Sequence, residues 1–170
     1  MSSENGTSFL RKVRGSLIGA GVLLGVDIVV SGSFLFSVLL GPIWLLVAIL
    51  KAIIRRRDWP VSVTRVVIPL VTLVLVFGNA SLQSRMAQAN AKRIINACTR
   101  YQATHGVYPK TLEILIPKYL DSVPRARYAV MFGEFRYWEL NGQHTLMWVS
   151  VPPFTRPYYK FEEARWGYLD

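Results

Sequence analysis

The residue with the clearest capacity for chemistry is Asp27, because it is the only acid in a 40-residue apolar stretch, residues 15–54. A carboxylate at membrane depth is costly, and such residues are commonly kept for a function. The alternative is that Asp27 lies close to the outer end of its helix and is solvated there. We therefore predict Asp27 as a candidate intramembrane functional acid, on which a transport or enzymatic activity would depend.

The other reactive side chains do not form a catalytic or metal-binding pattern. His105 and His144 are far apart in sequence and have no acidic or thiol companions at ligand spacing. Cys98, the only cysteine, lies in a helical pattern that indicates a buried apolar role. Glu134 and Glu139 are five apart on one predicted strand, so they point to opposite faces. With no known phosphate-binding, zinc-protease or nucleophile motif, the sequence predicts no catalytic residue, no metal and no cofactor.

The aromatic residues of the last third of the chain are the best candidates for recognition. They are Tyr137, Trp138, Trp148, Phe154, Tyr158, Tyr159, Phe161, Trp166 and Tyr168. Most are expected to fill the space between a sheet and a helix, but side chains alternate along a strand, so some must stay outward. We predict Trp138, Trp148 and Trp166 as a candidate interaction surface for a partner protein or for lipid headgroups.

These candidates are positioned by two halves of the chain that differ in composition. Residues 1–82 carry eight basic and three acidic residues among mostly aliphatic ones, whereas residues 83–170 carry twelve basic and seven acidic residues and most aromatics. The net charge of +10 would suit nucleic acid, but the basic residues of the second half are scattered and form no phosphate-binding run. We therefore predict no nucleic-acid partner.

The first half predicts three transmembrane helices. As one helix, residues 15–54 would span roughly 60 Å, about twice the hydrocarbon core, so they predict a hairpin that turns at Ser31-Gly32-Ser33. Its helices cover residues 15–30 and 34–54, and a third apolar stretch covers residues 61–82. Basic residues flank the outer ends of the hairpin: Arg11, Lys12, Arg14, Lys51, Arg55, Arg56 and Arg57. By the positive-inside rule, the N-terminus is cytoplasmic and the C-terminal domain lies in the periplasm of a bacterial-type cell.

The predicted domains are a cytoplasmic tail with the hairpin (residues 1–57), a third transmembrane helix (58–82) and an extracytoplasmic domain (83–170). The third helix continues with helical spacing to residue 104 and ends at Gly106. A short helix over residues 112–116 follows, capped by Thr111. The period then changes to two, which predicts strands over residues 128–132, 135–140, 144–151, 158–162 and 166–169, with a tight turn at Asn141-Gly142.

One stretch of this domain resembles the type IV pilin and type II secretion pseudopilin family. The residues that carry the resemblance are 93–109 (RIINACTRYQATHGVYP), Leu112-Glu113, Leu115, Pro117, Tyr119-Leu120 and Val123-Pro124. The resemblance extends over about residues 57–170. It implies an α+β domain in which a long helix, leaving the membrane, packs on an antiparallel sheet.

Two departures limit what the resemblance implies. The family's prepilin peptidase cleaves at a glycine that precedes Phe or Met, whereas here Arg57 is followed by Asp58-Trp59-Pro60-Val61. The acids that bind calcium in major pseudopilins are replaced by Arg125-Ala126-Arg127. The resemblance therefore implies the fold, and neither filament assembly nor a calcium site.

Two functional hypotheses follow from these observations. The first is a non-enzymatic inner-membrane protein whose pilin-like periplasmic domain binds another protein, as an accessory subunit of an envelope or secretion complex. The second is a membrane immunity protein that protects against a toxin. Both are compatible with several crossings and no catalytic motif, and the sequence leaves the partner and the oligomeric state open.

Overall fold

The computed structural model describes residues 2–31, 34–54, 59–150 and 155–169. The chain divides into two compact units, Met1–Ala80 and Ser81–Asp170. The helix α3, Trp59–His105, contributes its first part to one unit and its second part to the other.

The first unit is entirely helical within its described residues. Helix α1, Ser2–Leu24, runs into a π-helical segment, Gly25–Ser31, and helix α2 covers Leu35–Ile54. Together with α3 they make three helices that are long and apolar enough to cross a membrane. The first helix was predicted to begin at residue 15, and it begins at Ser2, because hydropathy marks where a helix becomes apolar and not where it starts. The predicted turn residues Gly32 and Ser33 lie outside the described residues.

Small residues bring the three helices of the first unit together. The Trp44 ring packs against α1 at Gly19, where a Cβ atom would lie 3.5 Å from the ring. Gly41 of α2 faces the side chain of Leu73 on α3 with no room for a larger residue unless Leu73 shifts. The rings of Phe34 and Phe77 stack with centroids 5.1 Å apart. Glycine at such points allows the close helix approach that membrane helices commonly use.

The second unit begins with the remainder of α3, which ends at His105 as predicted. Gly106 follows with a φ of 77°, and its N–H donates to the carbonyl of Gln102, closing the helix end. A 3₁₀ helix covers Leu112–Leu115, where a short helix was predicted. Thr111 holds the N-cap position of this helix, although its side chain makes no capping hydrogen bond there.

Four antiparallel strands complete the second unit: β1 Arg136–Leu140, β2 Gln143–Met147, β3 Arg156–Lys160 and β4 Arg165–Leu169. They are joined in sequence order, each paired with the next. The predicted Asn141-Gly142 turn is confirmed, with φ angles of 54° and 76° that fit a type I′ turn. Ala164, in the turn between β3 and β4, also has a positive φ of 48°.

The predicted strand over residues 128–132 is wrong. These residues form a loop, because the carbonyl of Gly133 accepts hydrogen bonds from the N–H groups of Ala126 and Arg127 and folds the chain back on itself. The amide of Asn90 on α3 also donates to the carbonyl of Arg125, at 2.9 Å, which fixes the start of the loop. The chain reaches the sheet only at Arg136.

The core of the second unit lies between α3 and one face of the sheet. Ile94 and Cys98 from α3 are fully buried together with Leu115 and with Leu146 from β2. Two tyrosines pack against the core, and the hydroxyl group of each donates a hydrogen bond to a backbone carbonyl. Tyr137 donates to Pro109 at 2.7 Å, and Tyr108 donates to Phe161 at 3.4 Å. The helix and sheet are thus joined by apolar packing without a disulfide, since Cys98 is free.

Candidate interaction surface

The sheet has one face covered by α3 and a second face that points away from it, and the strand register identifies each. Tyr137, Leu146 and Tyr159 are cross-strand partners, and all three belong to the core or pack against it. Because side chains alternate along a strand, the neighbouring positions point away from α3. We call this second side the outer sheet face.

The outer sheet face combines aromatic, aliphatic and basic side chains. Two rows of cross-strand neighbours run across all four strands. One row is Arg136, Met147, Tyr158 and Gly167, and the next is Trp138, Thr145, Lys160 and Arg165. Two further pairs lie at the ends of the strands: Arg156 opposite Leu169, and Leu140 opposite Gln143. None of these strand positions is acidic, and the turn residue Glu163 pairs with Lys160 at 2.8 Å. The face is therefore basic, with the exposed Trp138 in the middle of its edge strand β1.

The structure does not bring the three predicted tryptophans together. Trp138 is 36% exposed and stands on the outer sheet face. Trp148 is 2% exposed, so it belongs to the core and not to a surface. Trp166 is 42% exposed but lies on the opposite side of the sheet, edge-on to Trp148 with ring centroids 5.9 Å apart. Trp138 alone remains on the outer sheet face.

Trp166 helps to form a separate small cleft beside α3. The cleft has a volume of about 190 Å³ and is lined by Gln88, Lys92, Trp148, Pro157, Trp166 and Tyr168. It lies between Gln88 and Lys92 of α3 and the inward-facing side chains of β3 and β4. Its size suits a single side chain or a few waters.

The loop over residues 125–134 presents a second exposed apolar surface that the sequence interpretation missed. Tyr128 is 69% exposed and Val130 is 76% exposed, and Met131 and Phe132 are also exposed. The guanidinium of Arg125 donates to the carbonyl of Ala129, which holds the loop closed at 3.2 Å. A sequence signal existed: this apolar run lies between two arginines and Gly133-Glu134, which is more typical of a closed loop than of a strand.

Arg127 is the charged residue that this loop buries. Its side chain is 2% exposed, and burial lowers the pKa of its guanidinium below the ordinary value. A buried guanidinium is costly.

Asp27, the predicted functional acid, lies in the π-helical segment, and its carboxylate reaches the start of α2. It is fully buried, and its carboxylate accepts hydrogen bonds from the backbone N–H groups of Phe36 at 3.0 Å and Ser37 at 2.6 Å. These are the second and third residues of α2, whose N–H groups have no partner within the helix. Asp27 thus caps α2 from a distant point in sequence, and it is not a solvated surface acid.

The histidines also have local roles. The ring of His105 stacks on Tyr101 with centroids 4.0 Å apart at the end of α3. His144 contacts Glu162 through Nδ1 at 2.7 Å and through its backbone N–H at 2.8 Å, and its Nε2 lies 3.7 Å from Glu139. Within the described part of the chain, no cluster of three or more potential ligands could hold a metal ion.

No family model, no curated protein and no solved structure matches this chain. The surfaces described above are therefore interpreted from their own geometry and charge.

Proposed function

We propose that this chain is a non-enzymatic inner-membrane protein whose C-terminal domain, outside the cytoplasm, binds another protein through the outer sheet face. The observation that carries the proposal is Trp138, which is 36% exposed on the outer sheet face. Arg136 lies two residues away on the same strand and face, and the other basic side chains of this face lie on β3 and β4. Exposed aromatic residues next to arginines are typical of binding hot spots. A partner with an acidic surface suits this charge best.

The membrane part of the proposal is supported by what the first unit exposes. Large aliphatic side chains stand outward on the helices, among them Leu39 and Ile43 on α2 and Val74 on α3. Water-soluble monomers rarely expose apolar surface over such an area, whereas lipid tails favour it. The basic clusters at residues 11–14 and 51–57 favour a cytoplasmic N-terminus.

The pilin-like part is supported by the order of elements in the second unit. A helix that begins in an apolar stretch continues as the central helix of an α+β domain, followed by a loop with Tyr108-Pro109 and a four-stranded antiparallel sheet. The chain has no glycine at the position where prepilins are cleaved. We propose that it stays in the membrane as an accessory subunit of an envelope or secretion complex and does not enter a filament.

The test is site-specific crosslinking in cells. A photo-activated amino acid at Leu140, which is exposed beside Trp138 on the outer sheet face, is expected to capture one defined protein, and the same probe at Ala103, which is exposed on α3, is expected not to. Removing the basic charge next to Trp138, by Arg136→Gln, is expected to reduce the yield. Equal capture from both positions would contradict the proposal, and a captured toxin would favour the immunity hypothesis instead.

A further inference from the structure

Strand β4, Arg165–Leu169, is an edge of the sheet, because within the described residues it pairs with β3 and with no other strand. Edge strands in proteins are commonly protected by proline, by several charges or by a bulge. β4 contains no proline and a single charged residue, Arg165, and its five residues pair with β3 in an unbroken register. Its free side is therefore suited to pairing with a further strand.

The hydrogen-bond pattern of β3 determines which backbone groups of β4 face outward. The carbonyl of Pro157 accepts a hydrogen bond from the N–H of Trp148, so the backbone groups of Pro157 point toward the β2 side. Successive residues of a strand alternate in this direction, so the backbone groups of Tyr158 point toward β4. Tyr158 is opposite Gly167, and Gly167 therefore directs its backbone groups inward, toward β3.

The same alternation turns the backbone groups of Trp166 and Tyr168 the other way, toward the free side of β4. Each of these residues contributes one N–H donor and one C=O acceptor. An extended polypeptide backbone offers acceptors and donors at the matching spacing, and its pairing with a sheet edge is an established mode of peptide recognition. The occupant that fits this edge is therefore an extended segment of a protein.

The covered face of the sheet offers this segment a place for one of its side chains. Trp166 and Tyr168 are opposite Tyr159 and Pro157, so their side chains lie on the covered face, where they line the cleft of about 190 Å³ beside α3. Trp166 is 42% exposed and Tyr168 is 66% exposed. Residues directly opposite each other on paired strands share a face. A segment paired with β4 therefore places alternate side chains beside this cleft, whose lining favours an apolar one.

The outer sheet face determines the charge that the other side chains of the segment should carry. They alternate onto this face, next to Arg165, which is itself opposite Lys160. Residues 83–170 carry twelve basic and seven acidic residues, so two copies of this domain repel each other. An acidic segment of another protein complements this charge, and a second copy of the chain does not.

We propose that the free edge of β4 binds an extended, acidic segment of another protein by strand addition. Alternate apolar side chains of the segment lie beside the cleft, and alternate acidic side chains lie on the outer sheet face. The proposal goes beyond the function given above, because it uses the edge opposite to Trp138, which lies on β1, and it does not depend on the membrane anchor.

The test measures binding of a short fluorescent peptide of alternating leucine and glutamate to the full-length chain in a neutral detergent, by fluorescence anisotropy. Methylation of the leucine backbone nitrogens is expected to weaken binding by about tenfold or more, because these N–H groups face β4. Methylation of the glutamate backbone nitrogens, which face away from β4, is the matched control and is expected to leave binding unchanged. Equal effects of the two methylations would overturn the proposal.

The preference for acid is tested by Arg165→Gln. This change is expected to weaken binding of the leucine–glutamate peptide by about two- to fivefold, the range for cross-strand charge pairs. Binding of a peptide of alternating leucine and threonine is expected to stay the same. An equal loss for both peptides would overturn the acidic character of the segment.

The edge itself is tested by Tyr168→Pro. Proline removes the outward N–H and places its ring where the added strand would lie, while the N–H groups that bind β3 belong to other residues. Tyr168→Thr loses the same aromatic ring but keeps the N–H, and it is expected to bind the peptide about tenfold more tightly than Tyr168→Pro. Equal binding by these two variants would contradict strand addition. If Tyr168→Pro does not fold, the methylated peptides decide the question on the unaltered chain.

Two further results separate this proposal from its alternatives. A chain that captures its partner through the outer sheet face, yet binds none of the peptides, overturns the proposal for β4 alone and leaves the proposed function intact. A dimer of the chain that Tyr168→Pro dissociates would show that a second copy occupies the edge, and it would overturn the choice of an acidic partner.

Discussion

The carboxylate of Asp27 lies 2.6 Å from the backbone nitrogen of Ser37, ten residues further along the chain. The contact joins the π-helical segment to the first turn of α2 and places a negative charge at the positive end of that helix. In an apolar environment the N–H groups at a helix start have no water to bind, so this cap replaces their hydration.

Asp27→Ala is expected to destabilise the first unit by about 1–3 kcal/mol, because it leaves buried N–H groups without an acceptor. Asp27→Asn keeps one acceptor oxygen and is expected to lose less. Thermal unfolding in detergent measures both. If Asp27 instead performs chemistry that requires a charge, Asp27→Asn would abolish function while leaving stability and expression intact.

Trp138→Ala is expected to abolish partner capture while changing the free energy of unfolding by less than about 1 kcal/mol, since the ring is exposed. Trp148→Ala is the comparison, because that ring is buried against Phe135 and Trp166. It is expected to cost about 3–5 kcal/mol. Urea unfolding of the two variants, with partner pull-down, tests both; a stable Trp148→Ala variant would contradict the assigned core.

Gly133→Ala is expected to open the loop over residues 125–134. A Cβ atom there would lie 2.9 Å from the carbonyl oxygen of Ala129 and 3.0 Å from that of Arg127, and backbone atoms cannot move aside cheaply. The expected loss of stability is about 1–3 kcal/mol. Val130→Ala, in the same loop but largely exposed, serves as the control and should leave stability unchanged. Limited proteolysis reports the opening.

The contact between Glu162 and His144 predicts an acid-sensitive contribution to stability. Partial burial raises the pKa of Glu162, but hydrogen bonds from the His144 side chain and backbone outweigh it, so the pKa lies below its ordinary 4.5. A carboxylate with a lowered pKa stabilises the fold above its unfolded-state pKa and loses that effect as the pH falls through the folded-state value. The contribution is expected to be about 1 kcal/mol or less, because the pair is partly exposed.

The test measures the melting temperature of the full-length chain between pH 7 and pH 3. Glu162→Gln is expected to lower stability at pH 7 and to flatten its fall below pH 4.5. Lys160 and Glu163 form a neighbouring exposed pair, so Glu163→Gln is a suitable control. A Glu162→Gln variant with the same pH profile as the parent chain would show that the contact contributes nothing.

Membrane topology is tested by reporter fusions. A periplasmic reporter joined after Ser81 is expected to be active, and one joined after Arg56 to be inactive, because basic clusters at both hairpin ends favour the cytoplasmic side. The reverse pattern at either site would rule out three crossings with a cytoplasmic N-terminus.

Local chemistry explains where the sequence interpretation succeeded. Asn141-Gly142 has positive φ angles that few other residues accept, so a hairpin could be predicted from two residues. The end of α3 was equally clear, because Gly106 adopts the left-handed conformation that closes a helix.

Non-local contacts explain where it did not succeed. The apolar run over residues 128–132 fits a short strand, but hydrogen bonds to Gly133 and from Asn90 make it a loop, and the five residues themselves do not reveal these contacts. The alternation of side chains along a strand also could not show that Trp138 is exposed and Trp148 is buried. It groups residues by the face of the sheet, but it does not say which face α3 covers. The capping of α2 by Asp27 joins residues that the hairpin brings together only after folding.

The sequential strand order has a consequence for the timing of folding. Leu146, which covers Ile94 and Cys98, lies in the last quarter of the chain, and the sheet is complete only at Leu169. At synthesis rates of 5–20 residues per second, roughly 4–14 s pass between the synthesis of Cys98 and that of Leu169. During this time the apolar side of α3 lacks the sheet that packs on it. During that interval the emerging chain is a substrate for proteases and chaperones, and the two final hairpins, which need only neighbouring residues to form, end it quickly.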